Sequence, residues 1–265
     1  MYFIANWKMF GGLNSLNSIN IVLKFLKKFK KNKLIKIIYC PPNTLIESMS
    51  KKLKNSRIDV GAQNCHEEEN YGAFTGSINS IMLKSVGAKY VILGHSENRK
   101  SGETDKLINS KIKSALKANL RVIFCIGETL KEKRKKITKR VLAKQIKIGL
   151  QKVKRKERVL IAYEPVWSIG TGLIPKSGDL LKIIKFIREK TKKNKVLYGG
   201  SVNSKNISEL KNVANYRKLQ SQLIWFGLIF IQIIPCSDDS ILIMLRNGSL
   251  IILSSFKIVV WVIII

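Results

Sequence analysis

The chain has 265 residues, 45% of them hydrophobic, and its 49 lysines and arginines against 17 acidic residues give a formal net charge of +32. That length buries a full core and fits one large α/β domain. The four cysteines, Cys40, Cys65, Cys125 and Cys236, are widely spaced, form no C-x-x-C pair and have only His66 and His95 as imidazole partners. This argues against a zinc site or a disulfide framework and favours a reducing cytosol.

The chain begins M-Y-F-I-A-N-W-K, with no basic segment followed by an apolar stretch and a small-residue cleavage site, so no signal peptide is expected. Its first short apolar run, Tyr2–Asn6, reads as a strand. Leu16, Ile19, Leu23 and Leu26 then recur at helical spacing. Further strands are predicted at Leu34–Cys40, Ile58–Gln63 and Tyr90–Leu93, followed by a helix bearing Ile108, Ile112, Ala115 and Leu116. The fifth strand is Val122–Ile126, and its helix carries Leu142, Ile146, Leu150 and Val153. Strands at Val159–Tyr163 and Val196–Tyr198 flank a helix marked by Leu180, Ile184 and Ile187. Ser204 is placed to cap a last helix through Ile207, Leu210 and Val213. Most of the strands lack polar alternation, the pattern of parallel strands covered on both faces. Repeated βα units of this kind build either an open doubly wound sheet or a closed barrel, and periodicity does not choose between them.

Polar clusters stand where these strands end: Asn6-Trp7-Lys8, Gly94-His95-Ser96-Glu97, Tyr163-Glu164-Pro165-Val166-Trp167 with Ser168-Ile169-Gly170-Thr171-Gly172, and Tyr198-Gly199-Gly200-Ser201. In a parallel α/β protein the C-terminal strand ends share one face, so the clusters converge there. Each residue alone has an ordinary explanation: a solvated lysine, a turn asparagine, a structural histidine, a strand-ending glutamate. Together they supply a cation, a neutral electrophile, a carboxylate base and backbone donors for an anion. That set suits proton abstraction beside a carbonyl on a phosphorylated substrate.

N-W-K-M, L-G-H-S-E, C-I-G-E, A-Y-E-P-V-W-x-I-G-T-G and Y-G-G-S-V, in this order and spacing, resemble the triosephosphate isomerase family. Gln63 to Ile78 is similar to the family's dimer-interface loop. The resemblance implies a (β/α)8 barrel and a cytoplasmic homodimer. It also implies interconversion of dihydroxyacetone phosphate and glyceraldehyde 3-phosphate, a step of glycolysis and gluconeogenesis, with no metal and no organic cofactor. Carried over by motif, Glu164 is the base, His95 polarises the carbonyl as a neutral imidazole and Lys8 offsets substrate charge. Asn6 orients the substrate, and the Gly170 amide and the Ser201 region hold its phosphate. Pro165–Lys176 corresponds to the mobile lid, and Thr75 to a residue reaching across the dimer. The family is a standard illustration of a histidine whose pKa is lowered by a helix N-terminus.

The resemblance stops near residue 215. An eighth strand with a Gly-Gly phosphate loop should follow, but the sequence turns to L-I-W-F-G-L-I-F-I-Q-I-I and ends W-V-I-I-I, without a Gly-Gly pair. The chain therefore divides into a barrel domain over 1–215 and an atypical hydrophobic tail over 216–265. Three explanations stand: an out-of-frame reading, a membrane-seeking extension, or a substitute eighth strand, for which Leu223–Phe230 has the length. Its apolar runs are broken short of the ~20 residues of a spanning helix, so the out-of-frame reading is preferred and no membrane is expected as a partner. A seven-stranded barrel would leave two unpaired edges and an impaired enzyme as the alternative function. Lysines spread over most of the chain before residue 218 favour compositional bias over specific nucleic-acid binding.

Overall fold

The computed structural model describes residues 2–28, 36–171, 173–192, 194–201, 242–246, 249–253 and 262–264. Seven strands run parallel in sequence order: β1 (Tyr2–Asn6), β2 (Lys36–Cys40), β3 (Ile58–Ala62), β4 (Tyr90–Leu93), β5 (Arg121–Ile126), β6 (Val159–Tyr163) and β7 (Val196–Tyr198). A doubly wound sheet reverses its strand order at a switch point. This sheet never does, so the order decides for the barrel.

Helices fill the crossovers: α1 (Ile19–Lys28), α2 (Ile46–Leu53), α3 (Ser80–Ser85), α4 (Ser96–Lys100), α5 (Asp105–Lys117), α6 (Leu130–Arg134), α7 (Thr138–Gly149) and α8 (Ser177–Thr191). Local chemistry starts several of them. The Thr104 side chain accepts from the Leu107 amide to open α5, and Thr129 and Glu132 form a reciprocal capping box on α6.

The missing polar alternation now has its cause. Along β5, Ile123 and Cys125 join an inner core with Ile4, Ile38, Tyr90, Ile92, Leu160 and Leu197, while Val122, Phe124 and Ile126 pack outward among the helices. Both faces are covered, so both carry apolar side chains.

Strand positions agree with the sequence reading except at margins. Positions 34 and 35 lie outside the described residues, β5 starts one residue early at Arg121, and β3 stops at Ala62. Gln63 leaves the ladder because its side-chain amide donates to the Lys8 and Cys40 carbonyls, at 2.8 and 2.9 Å. The helix expected after Ser204 and the substitute strand expected at Leu223–Phe230 lie outside the described residues.

The tail corrects one expectation. The outer edge of β7 is not left unpaired. After a hairpin of β8 (Leu242–Arg246) and β9 (Ser249–Leu253), strand β10 (Val262–Ile264) pairs antiparallel with β7, Val262 opposite Tyr198 and Ile264 opposite Val196. The β-branched W-V-I-I-I ending supplies the strand propensity. β10 comes beside β1, but among the described residues no ladder joins the two.

Candidate active site

The site forms at the C-terminal ends of β1, β4 and β6. Asn6 closes β1, is buried, and accepts the Lys8 amide on its Oδ1 at 2.9 Å. That bond holds Lys8 in a left-handed backbone conformation (φ 51°), which an L-residue adopts at a cost. From there its Nζ reaches Glu97 Oε1 at 2.6 Å, at the wall of the cleft. Asn6 thus positions Lys8 as well as facing the cleft.

His95 is the N-cap of α4. Its Nδ1 accepts from the Glu97 amide at 3.3 Å, and its Nε2 lies 2.9 Å from Glu164 Oε1. A nitrogen that accepts carries no proton, so this backbone bond assigns the neutral ring's proton to Nε2, the nitrogen that faces Glu164. Glu164 follows β6 and is 2% exposed. Its second oxygen accepts the Ser96 amide at 3.3 Å. One short helix start therefore holds both the imidazole and the carboxylate.

Opposing forces act on His95. Burial pulls its pKa down, but the Glu164 carboxylate and its hydrogen bond, helped by Glu97, outweigh burial and leave it above the ordinary value. For Glu97, burial pushes upward and is outweighed by the hydrogen bond from Lys8, with further help from His95, so its pKa lies below the usual carboxylate value. With the Glu164 carboxylate facing the ring, the His95 pKa lies on the opposite side of the ordinary value from the family illustration.

Arg99 fixes this loop: its guanidinium donates to the Gly94 carbonyl (2.8 Å), the Cys125 carbonyl (3.2 Å) and Asp105 (2.6 Å). Beside the site opens a cleft of about 260 Å³ whose walls include Asn6, Lys8, Gln63, His95, Glu97 and Asn98.

A further polar network grows from the segment that follows β6. Its Trp167 donates to the buried Glu128 at 2.8 Å, Tyr163 donates to the same carboxylate at 3.2 Å, and Lys133 Nζ sits 3.1 Å from the Trp167 ring centre. Burial raises the Glu128 pKa despite these donors. Further along, buried Ser168 meets the Tyr198 hydroxyl at 3.1 Å and accepts the Ser201 amide at 3.4 Å; Ser201 Oγ in turn donates to the Ser168 carbonyl. Gly170 stands exposed on the same segment at φ 71°, a conformation natural to glycine.

The structure therefore brings Asn6, Lys8, His95 and Glu164 together, and ties Ser201 to the segment after β6 through Ser168. Sequence reasoning gave no role to Gly127 or Glu128. A side chain on Gly127 would meet the Glu164 carbonyl oxygen at 1.8 Å. Gly127 and Glu128 both lie in the C-I-G-E motif that helped carry the resemblance, but neither was given a role there.

With this geometry in view, likeness to known proteins is specific. The family described as triosephosphate isomerase matches residues 1–217. The triosephosphate isomerase of Carboxydothermus hydrogenoformans is 45% identical over 188 residues, covering 66% of this chain and 74% of the relative. That of Endomicrobium trichonymphae is 42% identical over 187 residues, with the same shares. Among solved structures, the crystal structure of triosephosphate isomerase from Bartonella henselae aligns with a TM-score of 0.70 and 33% identity, over 79% of this chain and 86% of that one.

Proposed function

The chain belongs to the triosephosphate isomerase family, and we propose that Glu164, His95 and Lys8 perform that family's reaction in it. It is an aldose–ketose isomerase acting on a phosphorylated triose, interconverting dihydroxyacetone phosphate and D-glyceraldehyde 3-phosphate. The observation that carries the assignment of roles is the His95–Glu164 pair. With Nδ1 committed to the Glu97 amide, Nε2 is the nitrogen that donates to a carbonyl oxygen arriving beside it. The substrate oxygen takes the place of Glu164 Oε1 as that acceptor. The carboxylate is then free to remove the proton from the carbon next to the carbonyl.

An enediolate results, with negative charge developing on the oxygens. The Nε2–H and the Lys8 ammonium stabilise that charge, each exchanging its present carboxylate partner, Glu164 and Glu97 respectively, for the substrate oxygen. Glu164 returns the proton to the neighbouring carbon. The Gly170 amide and the Ser201 region hold the phosphate, and Pro165–Lys176 closes to exclude water. The sequence after residue 215 lacks a Gly-Gly pair, so phosphate is held more weakly than in a barrel with that loop. The division into a barrel over 1–215 and a replacement tail over 216–265 is part of this reading, supported by a family match that ends at 217.

A homodimer also belongs to the proposal. Met9, Leu13, Tyr71 and Phe74 are exposed on the loops after β1 and β3, the latter carrying Thr75, and a partner's loops would cover them. The free, buried thiols of Cys40, Cys65 and Cys125 fit a cytoplasmic location. Isomerisation in D2O tests the chemistry. Proton transfer through Glu164 places solvent deuterium on the carbon next to the product carbonyl to the extent that the carboxyl proton exchanges before it is returned; a Glu164→Gln variant that moves the proton, labelled or not, as fast as the parent refutes the carboxylate as the carrier.

A further inference from the structure

The net charge of +32 reads as an even scatter along the sequence, but the fold sorts it. Every strand from β2 to β7 begins with, or is directly preceded by, a cation: Lys36, Arg57, Lys89, Arg121, Arg158 and Lys195. Parallel strands put all six on one end of the barrel, opposite the site, with neighbouring strands about 5 Å apart. The loop entering β6 adds Lys152, Lys154, Arg155 and Lys156, all exposed.

Among the described residues, the strand starts and the loops leading into them hold two carboxylates, Asp59 and Glu157. Asp59 is buried and already paired to both Lys36 and Lys89. At the other end, Glu97, Glu103, Glu128, Glu132 and Glu164 interleave with the cations of the loops that follow β4, β5 and β6. The crowding is felt: burial first, then the like charges of Arg155 and Arg121, hold the Arg158 pKa below its ordinary value.

We infer that the N-terminal end of the barrel is a sequence-independent binding surface for the phosphodiester backbone of duplex nucleic acid, separate from the isomerase site. Charge alone would also suit an anionic membrane. A membrane-docking face pairs its cations with exposed apolar side chains, and among the described residues the large exposed apolar ones, such as Met9, Leu13, Phe74 and Leu173, lie on segments that follow strands rather than on those that enter them. Among the described residues of this face the aromatic ring at a strand start, Tyr2, is only half-buried beneath Lys195 (5.1 Å to its centre) and no fully exposed ring stands ready to stack on bases, which favours a duplex backbone over a single strand. Arginines contribute three of the six strand-entry cations, and their forked donors match phosphate oxygens. Among the described residues no helix or strand projects from this face to enter a groove and read bases, so binding is set by charge and spacing.

The test is binding of a fluorescein-labelled 20-base-pair DNA duplex by the full chain, measured by anisotropy across a salt series. With about five phosphates neutralised, affinity should fall roughly 500-fold between 50 and 200 mM salt. A face variant, Lys154→Gln, Arg155→Gln, Lys156→Gln and Lys195→Gln together, should bind at least tenfold more weakly, with a salt slope shallower by about 3. A control removes the same charge from the opposite end: Lys131→Gln, Lys135→Gln, Lys136→Gln and Lys139→Gln. It should bind within about twofold of the parent. Circular dichroism and isomerase turnover, both unchanged in the face variant, establish that it is folded. Equal losses in both variants would overturn the inference in favour of diffuse charge. So would the absence of duplex binding, or sedimentation with anionic vesicles that the face variant alone abolishes while duplex binding persists.

Discussion

Replacing Gly127 by alanine would put a methyl carbon 1.8 Å from the Glu164 carbonyl oxygen, 2.6 Å from its carbonyl carbon and 3.4 Å from the Pro165 nitrogen. The atoms it meets are backbone, so no flexible side chain can swing aside. The two segments must separate by more than 1 Å before the contact reaches even the tightest ordinary range. Glu164 hydrogen-bonds through its own amide to the Ile126 carbonyl at 2.7 Å, one residue before Gly127. Separation therefore strains the very register that aims the carboxylate. A 1 Å misplacement of a catalytic group costs about 100-fold in rate, and overpacking costs about 2 kcal/mol, roughly 4–8 °C in Tm. Steady-state kinetics and a thermal melt of Gly127→Ala should show both losses, with kcat falling more than KM rises. Gly178→Ala is the control. Nothing lies within 4 Å of its added carbon and it sits in α8, so kcat should not change and stability should rise by about 0.5 kcal/mol. A Gly127→Ala enzyme with kcat within threefold of the parent would refute the argument from close backbone approach.

His95 gives a pH prediction with a definite sign. Its folded pKa is raised above the ordinary value, chiefly because the Glu164 carboxylate outweighs burial. The stability it contributes is fully present below the unfolded pKa and is lost as pH rises through the folded one. Turnover at low substrate should rise over that same upper window as the ring becomes neutral, and the histidine NMR titration of Glu164→Gln should shift downward; an unshifted titration would break the link. Lys8→Met removes the cation over the cleft and should lower kcat/KM about 100-fold while the Glu97 pKa moves up, both seen by kinetics and carboxyl NMR. Equilibrium sedimentation should find a dimer at micromolar concentration, and Thr75→Arg with Phe74→Ser should yield monomers.

Much of the site was legible because it lies where the chain punctuates itself. Short β-branched runs end in Asn6, His95 and Glu164, and parallel topology then forces those ends together. Gly127 and Glu128 were legible as part of C-I-G-E but not in what they do, since the close backbone approach between β5 and β6 exists only in three dimensions. The left-handed Lys8 was hidden for the opposite reason. A strained lysine carries no sequence mark, and only the Asn6 side chain holding its amide reveals it. The position of β10 was also beyond reach. Several apolar runs in the tail share strand propensity, and nothing local distinguishes Val262–Ile264 from Leu223–Phe230. The charge deceived in one dimension because strand starts are scattered along the chain and meet only on the barrel's end.

The most direct test of the central claim is turnover of D-glyceraldehyde 3-phosphate by the purified full-length chain, with Glu164→Gln as the blank. The account predicts isomerisation by the parent chain and a rate reduced by a factor of about 100 to 10,000 in the variant, with binding of a phosphorylated substrate mimic retained. A folded parent chain no faster than its Glu164→Gln variant would contradict it.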